Sequence, residues 1–152
     1  MECCKWTIKI KYILRLIYLI LIMNQITELD IYAGCIEKLK PNSKYSLYIN
    51  GNNEKTVTWY DTDQTEPTTD EISSIRSSVI SELSYQLLRE QRKDKLLKTD
   101  FYFVNDYPHK TEEKKNEWLI YRQSLRDLLE DSEVTVDNDG NLMNIGWPTE
   151  PS

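Results

Sequence analysis

The chain has 152 residues, which is enough for one domain and short for two. Apolar residues make up 39% and charged residues 29% of the chain, so we expect a modest hydrophobic core. The net charge is −6; residues 1–23 carry four cations against one carboxylate, a local charge of +3, which leaves −9 for the remainder. Because nucleic-acid binding depends on Lys and Arg contacts with phosphates, this acidic body argues against a nucleic-acid partner.

Catalytic and metal-binding residue types are scarce. His109 is the one histidine, and the three cysteines, Cys3, Cys4 and Cys35, show no C-x-x-C spacing. This composition predicts no disulfide framework, no metal site and no Ser-His-Asp or Cys-His catalytic arrangement. The string at 137–141 resembles part of a calcium loop but lacks the closing Glu of that pattern. We therefore expect a non-catalytic protein without a cofactor.

Residues 1–22 differ in composition from everything after them. A basic stretch leads into an apolar run of eight residues after Arg15, far short of the ~20 residues of a membrane-spanning helix. Three interpretations stay open: a translated upstream sequence with Met23 as the true start, a signal or membrane-anchor segment, and a buried or interfacial helix. The abrupt change in composition at Met23 favours the first. A lipobox-like string also occurs at 31–35, ending in Cys35.

Residues 23–68 are predicted to contain a β-hairpin. Apolar and polar residues alternate over 44–50 and again over 54–60, and the Asn-Gly at 50–51 tolerates the positive φ of a tight turn. A lone hairpin is marginally stable in water, so this one needs a helix or a partner to pack against. The preceding segment, 36–41, is expected to form a short helix or strand.

A long helix is predicted next, at the start of a helical region that covers residues 69–152. Thr68 and Glu71 have the spacing of a capping box, and an apolar stripe then recurs at steps of three and four residues. The stripe consists of Ile72, Ile75, Val79, Leu83 and Leu87. Because the pattern continues through the basic stretch 89–98, we expect a helix of ~28 residues that projects or pairs with another helix, as in a coiled coil.

A second, shorter helix is predicted after an aromatic loop at 101–108. Thr111 is the expected N-cap, and acidic residues follow it in the first turn, where the helix dipole favours them. The apolar stripe of this helix comprises Trp118, Tyr121, Leu125 and Leu128.

The chain is expected to end in an extended tail. The polar stretch 131–144 contains a turn signal at Asp139-Gly140, and the tail after it holds two prolines and Trp147, which is expected to dock it. The predicted fold class is therefore α+β, with an N-terminal β-hairpin followed by a long helix, a shorter second helix and an extended C-terminal tail.

Several strings in the C-terminal part resemble one known family. They are Arg-x-x-Arg at 89–92, Lys-Leu-Leu at 95–97, Thr-Asp-Phe at 99–101, Tyr-Arg-Gln-x-Leu-Arg-Asp-Leu at 121–128 and Trp-Pro-x-x-Pro at 147–151. The region resembles the phage tail assembly chaperone-like and tail-fibre assembly proteins, and the resemblance extends over residues 36–152. The sequence departs from the family at Phe101, where Trp is usual, and residues 1–22 have no counterpart.

The resemblance implies a non-enzymatic viral protein that acts in phage tail or tail-fibre assembly by protein–protein binding. The implied partner is a tail or tail-fibre structural protein, met in the cytoplasm of the infected host. Two alternatives stay open: a minor structural component of the virion, and a small membrane-anchored binding protein if residues 1–22 are retained. A homodimer is also compatible with the surplus apolar stripe of the long helix.

The expected partner-binding or organising residues lie in the second helix and the tail. They are Trp118, Tyr121, Arg122, Leu125, Arg126, Asp127, Trp147 and Pro148. The two arginines are expected to pair with carboxylates such as Asp100 or Asp106, which would pin the second helix to the aromatic loop. Replacing either arginine is therefore expected to unfold the C-terminal region.

Overall fold

A computed structural model of the protein describes residues 25–50, 54–104, 107–128 and 133–152. The elements are helix α1 (Glu28–Leu39), strands β1 (Tyr45–Ile49) and β2 (Lys55–Trp59), helix α2 (Thr69–Lys98), a 3₁₀ helix (Asp100–Phe103), helix α3 (Glu112–Asp127), and strands β3 (Thr135–Val136) and β4 (Leu142–Met143). The predicted α+β class is confirmed, with its hairpin, long helix, second helix and extended tail.

The basic and apolar segment 1–22 lies outside the described residues, so the three interpretations of it stay open. Across the parts of the chain that are described, no helix is long and apolar enough to cross a bilayer.

Helix α1 is the largest element that the sequence patterns did not reveal. The short element expected at 36–41 is the end of a helix that begins at Glu28, where Thr27 and Asp30 form a reciprocal capping box. The lipobox-like string lies inside this helix, and its Cys35 is fully buried. Cys35 is therefore a core residue of α1.

The hairpin forms as predicted, with strands slightly shorter than the alternating stretches. Strands β1 and β2 pair antiparallel, which places Tyr45 opposite Trp59. Their rings stack with centroids 6.0 Å apart, and this face of the hairpin packs on the main core. Asn50, the residue before the turn, is described, whereas the turn residues 51–53 lie outside the described part.

Helix α2 confirms the predicted capping box and comes close to the predicted length. Thr68 accepts a hydrogen bond from the Glu71 N–H, and the Glu71 carboxylate accepts one from the Thr68 N–H. The helix has 30 residues. At its other end Thr99 is buried, and its hydroxyl donates to the Leu96 carbonyl at 2.8 Å.

The first core lies between α1, the hairpin and the N-terminal half of α2. Its buried residues are Ile26, Ile31, Cys35, Ile36, Ile72 and Val79. Gly34 allows α1 and α2 to approach closely, because a Cβ there would lie 2.8 Å from Val79 Cγ1. The apolar stripe of α2 is thus covered within the chain, which removes the reason for expecting a homodimer through that stripe.

An ion-pair network at the surface ties three elements together around the first core. Glu28 of α1 pairs with Arg76 of α2 and, at 3.2 Å, with Lys55 of β2. The hydrogen bond from Arg76 is the main cause that lowers the pKa of the Glu28 carboxyl. Because the pKa of this carboxyl is lower in the folded state than in the unfolded state, the ion pair stabilises the fold at a pH above the unfolded-state pKa. This contribution disappears as the pH falls through the folded-state pKa. The contribution is small because the groups are partly exposed.

Around Leu88, helix α2 also buries the face that lies opposite to the one packed on the first core. Val79 belongs to the first core, whereas Leu88, nine residues later, belongs to a second cluster. Nine residues correspond to about two and a half helical turns, so the two side chains point in opposite directions. One cluster on this second face contains the buried residues Leu88, Leu128 and Val134, and the other contains Trp118, Tyr121 and Leu125.

The polar stretch before the tail contains a short hairpin that was not predicted, although its turn was. Strands β3 and β4 pair antiparallel around Gly140, whose φ is 81°. The Asp137 carboxylate accepts the N–H groups of Asp139 and Asn141, and these hydrogen bonds lower the pKa of Asp137. The calcium-loop-like string therefore uses its first carboxylate to close the turn.

The turn of this C-terminal hairpin contacts the segment that leads into α1. The Ile26 N–H donates to the Gly140 carbonyl at 2.7 Å, and Gln25 forms an isolated bridge with Asn141. A Cβ at Gly140 would lie 1.9 Å from the Ile26 carbonyl oxygen, so only glycine fits. Because Ile26 belongs to the first core, this contact links that core to the C-terminal region.

We predict that Gly140→Ala destabilises the protein by more than about 1 kcal/mol, because it adds a backbone clash to an unfavourable positive φ. Gly146→Ala is the matched control: a Cβ there meets nothing within 4 Å. Chemical denaturation of both variants measures the difference. Equal stability of the two variants would contradict the close contact between the turn and Ile26.

Candidate protein-binding site

Helix α3 presents three of the expected site residues to the core. Thr111 caps the helix by accepting the Lys114 N–H at 3.3 Å, as predicted. Trp118, Tyr121 and Leu125 then recur at steps of three and four residues and are 6%, 4% and 0% exposed. At this exposure their side chains organise the packing of α3 on α2 and offer little surface to a partner.

An aromatic ladder leads from this core to the surface; it consists of Phe101, Tyr102, Tyr107 and Trp118. The Tyr102 ring stacks on Trp118 with centroids 4.0 Å apart, and Phe101 lies 3.9 Å from Tyr102 on the other side. Tyr107 meets Tyr102 edge-on at 5.0 Å. The outermost ring, Phe101, is 51% exposed, so the ladder ends in an accessible apolar group that also packs against the Tyr102 ring.

The histidine supports the ladder. His109 Nε2 lies 2.7 Å from the Tyr102 carbonyl oxygen, so this nitrogen carries the proton and donates. The His109 ring also lies 4.7 Å from Tyr107, centroid to centroid. Its neighbours are aromatic rings and a backbone carbonyl, which gives His109 a structural role in the loop.

Arg122 of α3 binds the C-terminal end of α2. Its Nη1 donates to the Leu96 carbonyl at 3.0 Å and to Thr99 Oγ1 at 2.6 Å, and it lies 2.7 Å from the Asp100 carboxylate. The ion pair with Asp100 is the contact that the sequence suggested, whereas Asp106 lies outside the described residues. The guanidinium thereby adds a charged donor to a Leu96 carbonyl that also accepts the N–H and the hydroxyl of Thr99.

Arg92 of α2 makes the reciprocal contact. Its Nη1 donates to the Arg126 carbonyl at 3.0 Å, near the C-terminal end of α3. Each helix thus sends one arginine to a carbonyl near the end of the other, and we call this pair, Arg92 and Arg122, the arginine clasp. Arg92 belongs to the basic stretch 89–98 of the long helix. The Arg-x-x-Arg string was the sequence feature that could have drawn attention to Arg92, but its spacing does not indicate which group Arg92 binds.

Arg126 and Asp127 lie on the solvent side of α3. Arg126 Nη1 is 3.5 Å from Gln123 Oε1, and Gln123 Nε2 donates to Asp127 Oδ1 at 2.8 Å. Both side chains are exposed. The backbone of Arg126 receives the clasp, while the contact described for its side chain stays within its own helix. The expected ion pair is present for Arg122, whereas a pairing of Arg126 with Asp106 lies outside the described residues.

The remaining two site residues, Trp147 and Pro148, belong to the tail. Asn144 adopts a positive φ of 58°, which turns the chain from β4 into the tail. Trp147 packs against both C-terminal clusters, and Lys95 Nζ lies 5.0 Å from the centroid of its ring. Burial raises the pKa of Tyr121, and the negative charge of Glu150 raises it further.

The side chains of this region are mainly aromatic, apolar and cationic. In the described ranges, no group of three or more His, Cys, Asp or Glu side chains could hold a metal ion. The site combines stacked aromatic rings, apolar side chains and arginines that bind carbonyls. Aromatic residues and arginine are the residue types that are enriched in protein–protein interfaces.

We predict that Arg122→Ala destabilises the protein by about 2 kcal/mol, because it leaves partly buried acceptors at the end of α2 without their charged donor. The stability of Arg122→Lys should lie between those of the wild type and Arg122→Ala, since an ammonium group keeps the charge but lacks the two-pronged guanidinium group. Arg126→Ala, an exposed position on the same helix, serves as the control and should change stability by less than about 0.5 kcal/mol. Urea unfolding compares the three variants; equal losses at both arginines would contradict the clasp.

Comparison with known proteins gives one match. Residues 85–152 match the family described as phage tail assembly chaperone protein. No curated protein and no solved structure shows a significant match to the chain. The family match begins at Tyr85, which packs against the Leu88 cluster, and all members of both C-terminal clusters lie within the matched range. Residues 85–152, somewhat less than half of the chain, are thus similar to phage tail assembly chaperone proteins.

Proposed function

We propose that the protein is a non-catalytic chaperone that binds a phage tail or tail-fibre structural protein before that protein is incorporated into the virion. The family match over residues 85–152 carries this proposal. It is supported by the location of the two C-terminal clusters, whose members all come from the matched range. The client would be met in the cytoplasm of the infected host.

The exposed end of the aromatic ladder is the surface that we assign to the client. Leu97, Phe101 and Val104 are 57%, 51% and 53% exposed, and they lie on the last turn of α2, in the 3₁₀ helix and directly after it. Large apolar side chains at such exposure suit a surface that covers an apolar patch of an unassembled protein. The arginine clasp and the stacked rings behind Phe101 hold this end in place, which lowers the entropy lost on binding.

A chaperone leaves its client, whereas a minor structural component of the virion stays. The presence of the chain in purified virions distinguishes these two functions. A membrane-anchored binding protein would require that residues 1–22 are retained and that the chain fractionates with membranes.

We predict that the chain copurifies with a tail or tail-fibre protein when it is coexpressed with the tail genes of the same virus. Phe101→Ala should reduce the recovered client about tenfold, which corresponds to the ~1.4 kcal/mol expected for loss of one aromatic contact. Tyr60→Ala is the matched control, because Tyr60 is 60% exposed but lies outside the family region. Mass spectrometry quantifies the recovered proteins.

Recovery of no tail protein with the wild-type chain would contradict the proposed function. Equal losses with Phe101→Ala and Tyr60→Ala would contradict the assignment of the surface and leave the function itself standing.

A further inference from the structure

The tail, residues 146–152, is attached to the rest of the protein in an unusual way. It is extended, and the backbone hydrogen bond described for it, from the Trp147 N–H to the Ile145 carbonyl at 2.9 Å, reaches only the residue just before the tail. A segment with two prolines has few donors for a sheet or helix and favours a polyproline conformation. The attachment of the tail therefore depends on its side chains.

One side chain provides most of this attachment. Trp147 packs against the cluster that contains Leu88 and against the cluster that contains Tyr121 and Leu125. These two clusters lie between α2 and α3, and we call the space that Trp147 fills between them the tail groove. Lys95 of α2 covers the indole at 5.0 Å from its centroid, an arrangement that favours an aromatic ring through cation–π attraction.

The residues that follow the tryptophan are partly covered: Pro148 and Pro151 are half-buried. The tail thus resembles a bound peptide, with an aromatic anchor followed by prolines. Extended proline-containing peptides bind aromatic-lined grooves in this manner because little conformational entropy is lost.

We propose that the tail is a detachable occupant of the tail groove, and that the client displaces it with an extended segment in which an aromatic residue precedes proline. This inference rests on the proposed function and names the chemistry of the client. A tethered occupant competes at an effective concentration of roughly millimolar, so the client binds reversibly and is released when the tail returns.

The test uses the full chain with Trp147→Ala and a labelled peptide of residues 146–152. The variant keeps the groove but loses its anchor, so the peptide should bind it at least tenfold more tightly than it binds the wild-type chain. Thr149→Ala, an exposed tail position, should behave as the wild type. A peptide with alanine in place of Trp147 should not bind. Fluorescence anisotropy measures the binding of both peptides to all three chains.

Equal binding to the wild-type chain and to Trp147→Ala, or no binding to either, overturns the proposal. If Trp147→Ala alone unfolds the C-terminal region, saturable recovery of its circular dichroism on adding the peptide supports the proposal, and failure to recover overturns it. These results need no client, so they are independent of the copurification experiment. A captured tail protein should also displace the labelled peptide from Trp147→Ala; a client that leaves the peptide bound overturns the groove as the client site.

Discussion

Helix α2 has to bury opposite faces in its two halves, and the rest of the fold depends on this constraint. Its N-terminal half is covered by α1 and the β1–β2 hairpin, while its C-terminal half is covered by α3, the β3–β4 hairpin and the tail. A helix of 30 residues therefore needs no partner chain to cover its apolar stripe. The two packing faces overlap at residues 85–88, where the family match begins: Leu87 still packs on the first core, while Tyr85 and Leu88 pack in the second cluster. The region similar to phage tail assembly chaperones therefore has packing clusters of its own.

The C-terminal region combines a fixed part with a weakly attached part. The arginine clasp satisfies carbonyls near the ends of both helices, and the stacked rings from Trp118 to Phe101 extend this order to the surface. The tail is anchored through one indole and through few backbone hydrogen bonds. Hydrogen bonds from a charged, partly buried guanidinium are costly to break, and a tail held mainly by one aromatic side chain is easier to detach. This difference is what the proposed exchange of the tail for a client segment would require.

The sequence predicted the elements whose signals are local. Helices α2 and α3 combine long apolar periodicity with a capping residue, and the hairpin combines alternation with Asn-Gly. Helix α1 was missed because its capping box uses Asp30 in place of Glu or Gln and Gly34 interrupts a short pattern. Strands β3 and β4 have two residues each, too few for alternation to appear. The contact of Arg92 with the Arg126 carbonyl depends on tertiary packing, which periodicity does not encode.

The most direct test of the account is crosslinking mass spectrometry of the chain bound to its copurified tail protein, with an amine-reactive reagent. Lysines of the family region are Lys93, Lys95, Lys98, Lys110, Lys114 and Lys115, and those of the described N-terminal region are Lys38, Lys40, Lys44 and Lys55. The account predicts that crosslinks to the client come mainly from the first set, above all from Lys95 and Lys98 beside the tail groove and Phe101. Crosslinks mainly from the second set would contradict it, because the client would then bind the first core and the hairpin.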